Sequence, residues 1–135
     1  MSVIDASVIV PSLVDEGDFG QHARDRLTGI SDQAAPHVLD IEVAHALRRL
    51  SIVQGVLEAE RAQAALDDLA DLSLIRYPHG GLLSRAWELR HTVSTYDGVY
   101  VALAEALECV LVTANARLAK APGIRCEVEV LTSTP

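Results

Sequence analysis

Ser2–Val10 reads SVIDASVIV, an apolar segment that begins almost at the first residue and is broken once, by Asp5. Ser7 follows two residues later, and the apolar run then continues to Pro11. An isolated acid is costly inside a buried strand. At the carboxyl end of a strand it can leave the core and point into the crevice where open α/β sheets collect ligands. Asp5 equally suits a turn or the N-cap of a following helix. The stretch therefore predicts a strand over Ser2–Ala6 and leaves two roles open for its acid.

Length and composition bound what can surround this strand. The 135 residues suffice for a single domain, 1–135, with its own core. Half of them are hydrophobic but only 4% are aromatic, so Ala, Leu and Val must fill that core. Nineteen acids against eleven Lys and Arg give a formal charge of -8, which argues against bulk attraction to nucleic acid. A local basic rim around an acidic metal site remains compatible, because a divalent ion inverts the local electrostatics. An acidic surface also suits a basic protein partner. Cys109 and Cys126 form no C-x-x-C or ligand cluster and read as small buried hydrophobes rather than a disulfide. The N-terminal apolar run is short, follows no basic region and contains Asp5, unlike a signal peptide. No charge-free segment reaches membrane-spanning length. A soluble cytoplasmic protein is expected.

Along the chain, Val8–Val14 predicts a short helix despite Pro11, Asp15–Gly20 a loop, and Gln21–Leu27 a helix. Gly29–Pro36 is a break with a brief strand at Ala34–Ala35. Val38–Val53 carries Leu39, Val43, Ala46, Leu47 and Leu50 at helical spacing. Glu42 lies beside that stripe, in a row between Val38 and Ala46, and reads either as a boundary acid or as a carboxylate turned inward. Gly55 stops this helix, and Leu57–Leu72 forms the next, with Ala62, Ala65, Leu66, Leu69 and Leu72 available for packing. Leu74–Tyr77 is a strand, and Leu82–His91 a helix anchored by Trp87. Thr95 is expected to cap a helix over Asp97–Leu107, with Asp97 in the first turn, where N-capping alone would explain an acid. Cys109–Thr113 is a buried strand, expected to be central and parallel. A turn at Ala114-Asn115 enters a short helix carrying Leu118, Ile124–Leu131 supplies one or two edge strands, and Thr132–Pro135 is a tail.

These pieces predict a small three-layer α/β domain. If the ends of the first strand and of Cys109–Thr113 are neighbours, Asp5 and Asn115 meet at one crevice, which Glu42 and Asp97 approach from helices.

With those four stretches in view, the chain resembles the PIN-domain ribonucleases, more specifically the VapC toxins of bacterial toxin–antitoxin pairs. The resemblance is carried by VIDASVIV at Val3–Val10, EVAHALRR at Glu42–Arg49, YDGVYVALAE at Tyr96–Glu105 and LVTANARLAKA at Leu111–Ala121, in the family's order. It implies a PIN-like three-layer sandwich, with a small mostly parallel sheet flanked by helices. It also implies RNA cleavage dependent on Mg2+, with Mn2+ as a substitute, leaving a 5′ phosphate. Carried over by position, Asp5, Glu42 and Asp97 are the metal-site and catalytic acids, and Asn115 stands where a fourth carboxylate is usual. Thr113 and Ser7 match polar residues that order the site. Carboxylates suit the chemistry because magnesium prefers oxygen ligands and can activate water while neutralising a phosphodiester. Asn115 can accept or coordinate but brings no charge.

Arg49 and Arg117 are the candidate RNA contacts, with Arg48 and Lys120 as further basic residues near the crevice. His37 and His45 are placed in support or packing roles, since no serine–histidine–acid arrangement is evident. The resemblance also implies a cognate antitoxin protein and a homodimer, with the helical pair Glu42–Leu72 as the candidate interface. Sequence-specific DNA binding would belong to the antitoxin rather than to this chain. Covalent aspartyl phosphoryl transfer is a poor match, because position seven is Ser rather than a second acid. The alternative motivated by Asn115 is a catalytically reduced PIN-like regulator that only binds RNA or protein.

Overall fold

The computed structural model describes residues 1–133, so the last two residues of the expected tail lie outside the described residues. Five strands form one sheet: β1 (Ser2–Ile4), β2 (Gln33–Pro36), β3 (Leu74–Tyr77), β4 (Val110–Thr113) and β5 (Val128–Val130). Their spatial order is β3-β2-β1-β4-β5 and every pairing is parallel. Seven α-helices accompany them among the described residues: α1 (Ala6–Val14), α2 (Asp18–Thr28), α3 (Val38–Arg48), α4 (Ala59–Asp71), α5 (Leu83–Glu88), α6 (Thr95–Ala106) and α7 (Ala116–Lys120). This is the expected α/β architecture, with the sheet flanked by helices.

Parallel strands need crossover connections, and the helices that make them cover the sheet. Helix α6 lies on β1, β2 and β4 and is backed by α5, while α1 packs on β4 and gathers α2, α3 and α4 around it. Val3, Ile4, Val8, Ile9, Leu39, Val43, Leu111 and Val112 are buried at the centre. Residues Gly98 to Ala104 of α6 are all buried, so this helix is apolar nearly all round, as a central helix should be. Gly98 is required there: a Cβ would come within 3.1 Å of the Ala86 Cα, so its absence lets α5 lie against α6.

Several boundaries move. Strand β1 ends at Ile4 and the helix starts at Ala6, because Asp5 already has the backbone of an N-cap. Strand β4 is interior and parallel as expected, between β1 and β5, and begins one residue later, at Val110. Helix α2 begins at Asp18, inside the stretch expected to be a loop. The expected helix Val38–Val53 has the right extent, but its last five residues, Arg49–Val53, wind as a π-helix. Gly55 then terminates it with φ +66, a left-handed conformation that glycine adopts without Cβ strain. Ser94, one residue before Thr95, caps α6.

Trp87 is not an anchor. It is 62% exposed, and Ala86 and Leu89 fill the core beside it. Its ring instead carries the Arg90 guanidinium 4.8 Å from the centroid. Leu66 is likewise exposed, leaving Ala65 and Leu69 as the buried residues of α4. Only one edge strand, β5, forms in Ile124–Leu131. No helix is long and apolar enough to cross a membrane among the described residues.

Candidate active site

The chain leaves β1 toward β2 on one side, and leaves β4 toward β5 on the other. The carboxyl ends of β1 and β4 therefore flank a topological switch point, where open α/β sheets form their ligand crevice. Register sets Ile4 opposite Val112, so Asp5 emerges beside Thr113.

Asp5 is only 6% exposed, and its backbone occupies the N-cap position of α1 (φ −79, ψ 150). Its carboxylate makes no capping bond. It turns across the crevice instead, where Thr113 Oγ1 donates to Oδ2 at 2.6 Å and Ser7 Oγ donates to the same oxygen at 2.9 Å. Each hydroxyl is itself fixed by a backbone donor from the turn after β4. The Ala114 N–H donates to Ser7 Oγ at 2.9 Å, and the Asn115 N–H to Thr113 Oγ1 at 3.0 Å. Two turns more than a hundred residues apart are thus joined through one carboxylate oxygen. Hydrogen bonding is what makes a buried charge tolerable.

Glu42 on α3 and Asp97 on α6 are half-buried and share the electrostatic field of Asp5. Burial holds the Glu42 carboxyl above the usual carboxylate range; the Tyr100 hydroxyl opposes that rise, and the charges of Asp5 and Asp97 add to it. Burial likewise raises Asp97, with the Asp5 charge acting in the same direction and Ser94 and Arg117 acting against it. The fully buried Tyr100 hydroxyl influences Glu42, but the contact lacks hydrogen-bond geometry, so Glu42 Oε1 and the Tyr100 hydroxyl are both buried without a partner. Burial first, and then the charges of Glu42 and Asp5, push Tyr100 ionisation far up. The three acids interact without closing into a ligand cluster: among the described residues, no three His, Cys, Asp or Glu side chains are gathered as a metal site.

Asn115 behaves differently from the acids. It is the N-cap of α7, and its Oδ1 accepts the Arg117 N–H at 3.1 Å. The bond fixes the amide orientation, since only the oxygen accepts. Asn115, Asp97, Ser94 and Arg117 line one recess of the crevice. The other recess is a groove of about 720 Å³ walled by Ser7, Val10, Pro11, Ile41, Glu42, His45, Arg49 and Tyr96. Both arginines singled out as RNA contacts, Arg49 and Arg117, therefore reach the crevice walls. Arg48 does not; it lines a separate groove between α3 and α4. His45 faces the large recess, whereas the His37 ring meets His79 edge-on at 6.2 Å.

Sequence reasoning missed Tyr100 and Ser94. The signal for Tyr100 was its place three residues after Asp97, which puts both on one helix face. The signal for Ser94 was S-x-x-D ahead of an apolar run.

Fold and site together define an α/β protein with an acidic ligand crevice at its switch point. A model of the PIN domain family matches residues 2–124. The chain is 45% identical over 130 residues to Ribonuclease VapC1 of Mycobacterium tuberculosis, covering 96% of each. In fold it resembles M. tuberculosis VapC20, described as a Sarcin-Ricin loop cleaving toxin (TM-score 0.71, 15% identity, 93% of this chain and 97% of that one). It also resembles VapBC2 from Rickettsia felis, solved bound to a DNA fragment from their promoter (TM-score 0.69, 16% identity, 97% and 98%). The chain belongs to the PIN-domain family, among the VapC-type ribonucleases.

Proposed function

We propose that the chain is a divalent-metal-dependent endoribonuclease and the toxin of a toxin–antitoxin pair. The observation that carries this reading is the Asp5 carboxylate. It is buried, held by two hydroxyls and withheld from the helix cap it could make, in a crevice where Glu42 and Asp97 are already hard to ionise. The donor set fits a hard cation: the side chains are carboxylates, their charges oppose one another, and Glu42 Oε1 has no protein partner. Asp5, Asp97 and Glu42 would hold it, with magnesium the expected ion and manganese a substitute. Such an ion supplies charge stabilisation to a phosphodiester and lowers the pKa of a neighbouring water.

The chain's own residues supply the rest. Ser7 and Thr113 fix the direction of Asp5. Glu42 presents an unpartnered oxygen to position the attacking water. Arg117, whose charge acts on Asp97, and Arg49, on the groove wall, would meet RNA phosphates. The apolar residues Val10, Pro11, Ile41 and Tyr96 beside Glu42 suit an antitoxin segment offering an apolar anchor and a basic side chain. Exposed Ile52, Val53, Val56 and Leu66 support the α3–α4 region as a self-association face. Light scattering that shows only monomer across micromolar concentrations would remove the homodimer from this scheme.

The deciding experiment incubates purified protein with total cellular RNA and magnesium or manganese, with chelator and Asp5→Asn as controls. Metal-dependent cuts that vanish in Asp5→Asn establish the nuclease; cuts that persist in it overturn this assignment of the site. The cap bond of Asn115 favours one second reading, a catalytically reduced binder of RNA or protein. Silence from the native chain with cleavage by Asn115→Asp would identify it.

A further inference from the structure

The end of the sheet opposite the acidic crevice holds a second group with chemistry of its own. Strands β4 and β5 pair in parallel, with Leu111 opposite Val128 and Thr113 opposite Val130. The last ladder bond at the amino end runs from the Leu111 N–H to the Glu127 carbonyl at 2.9 Å. Cys109 precedes Leu111 by two residues and Cys126 precedes Glu127 by one, so both flank that bond beyond the paired residues. Both cysteines stand just before their strands, and the Cys109 N–H returns to the Ala104 carbonyl at 3.0 Å. Both are free, both are half-buried, and both line one recess together with Glu105, Glu108, Arg125 and Glu127. Cys109 is close enough to act electrostatically on Cys126. Adjacent strands lie about 4.8 Å apart, within the Cα separation a disulfide spans.

We infer that Cys109 and Cys126 are a disulfide-forming pair that takes a small-molecule disulfide as its oxidant. One cysteine thiolate attacks a sulfur of the oxidant, forming a mixed disulfide and expelling one small thiolate. The second cysteine attacks the first Sγ and expels the other small thiolate. Two protein thiols are oxidised by two electrons, one disulfide molecule is reduced to two thiols, and the two protons pass to them. The pair's reaction is slow at neutral pH. Burial and the Glu105 charge push Cys126 up to about 11, and burial also raises Cys109, so thiolate is scarce until the solution is alkaline.

The bond acts on β5. That strand is the sheet edge and pairs only with β4. Its far end is fixed by the Leu131 N–H on the Thr113 carbonyl at 2.8 Å and by the Arg26–Glu129 ion pair. A disulfide would fix the near end, leaving the crevice at the other end of β4 untouched.

The test incubates the full chain with oxidised glutathione at mildly alkaline pH, then quenches with acid and reads intact mass and denatured thiol titre. The expected product is a monomer lighter by two hydrogens, with no titratable thiol, a thermal midpoint several degrees above the reduced chain, and full reversal by dithiothreitol. Cys109→Ser and Cys126→Ser should each stop at one glutathione adduct. Two retained thiols, a lasting adduct on the native chain, or disulfide-linked dimers would each overturn the pairing. Because the readout is mass, the outcome is independent of whether the chain cleaves RNA.

Discussion

Asp5 and Asn115 occupy matching places in their two turns. Each follows an inner strand of the parallel sheet, and each has the extended backbone of a helix N-cap, φ −79 and ψ 150 for Asp5 against φ −89 and ψ 99 for Asn115. They use their side chains in opposite ways. Asn115 Oδ1 caps α7 through the Arg117 N–H, whereas the Asp5 carboxylate caps nothing and is held by Thr113 and Ser7. A cap stabilises its helix by about 1 kcal/mol. Declining one at Asp5 while burying the carboxylate runs against stability, which is characteristic of a functional position. At Asn115 the local helix, rather than the crevice, takes the side-chain oxygen.

The sharpest way to break the contrast is Asp5→Asn. It should keep the helical circular-dichroism signal while lowering RNA cleavage on the order of a hundredfold or more; near-native cleavage would make Asp5 a structural residue after all. Next comes Thr113→Val, which removes a donor to Asp5 and the acceptor of the Asn115 N–H. Leaving such groups unpaired costs roughly 1–3 kcal/mol, and disturbing a support residue lowers activity about ten- to a hundredfold. Urea denaturation and cleavage rates check the two effects separately.

Asn115→Ala sharpens the comparison from the other side. It should cost about 1 kcal/mol in urea denaturation through the lost cap. Asn115→Asp should retain the cap and, through its added charge, raise Asp97 further. Equal stability of the Ala variant and the native chain would dismiss the cap.

Stability against pH gives a smaller effect. Glu42 and Asp97 are raised in the folded chain, so each holds its proton more tightly folded than unfolded. Their contribution is fully present below the unfolded carboxylate pKa, about 4, and is lost as pH rises through the folded values. Glu42→Gln should therefore remove part of that loss toward neutral pH, and melting curves across this range would read it. An unchanged pH profile would show that Glu42 is not under strain. Smallest of all, Tyr100→Phe removes a buried hydroxyl that has no partner. It should be neutral or slightly stabilising in denaturation, and a loss above about 1 kcal/mol would reveal a hydrogen bond to the hydroxyl.

Much of this was legible in the sequence because strands and amphipathic helices declare their buried faces locally. Leu74–Tyr77 was read to the residue, and Leu39, Val43 and Leu47 of α3 are buried as their spacing requires. Trp87 was misread because a helix of six residues shows too little periodicity to choose between Ala86 and its neighbour, and size favoured the wrong one. Thr95 was chosen over Ser94 for a related reason: both are good caps, and the choice rests on one residue of register.

The sequence alone determined the order of the elements, the placement of an acid after the first strand, and the three helix or turn positions from which Glu42, Asp97 and Asn115 could converge. Those are properties of short windows, where composition and period suffice. Only the tertiary structure decided which side chains were spent locally. Asp5 escapes its cap because Thr113, 108 residues away, arrives with a hydroxyl. Glu42 and Asp97 become hard to ionise because the fold buries them in one another's field. Charge, burial and hydrogen-bond partners act through space, so their balance is fixed only when distant parts of the chain meet.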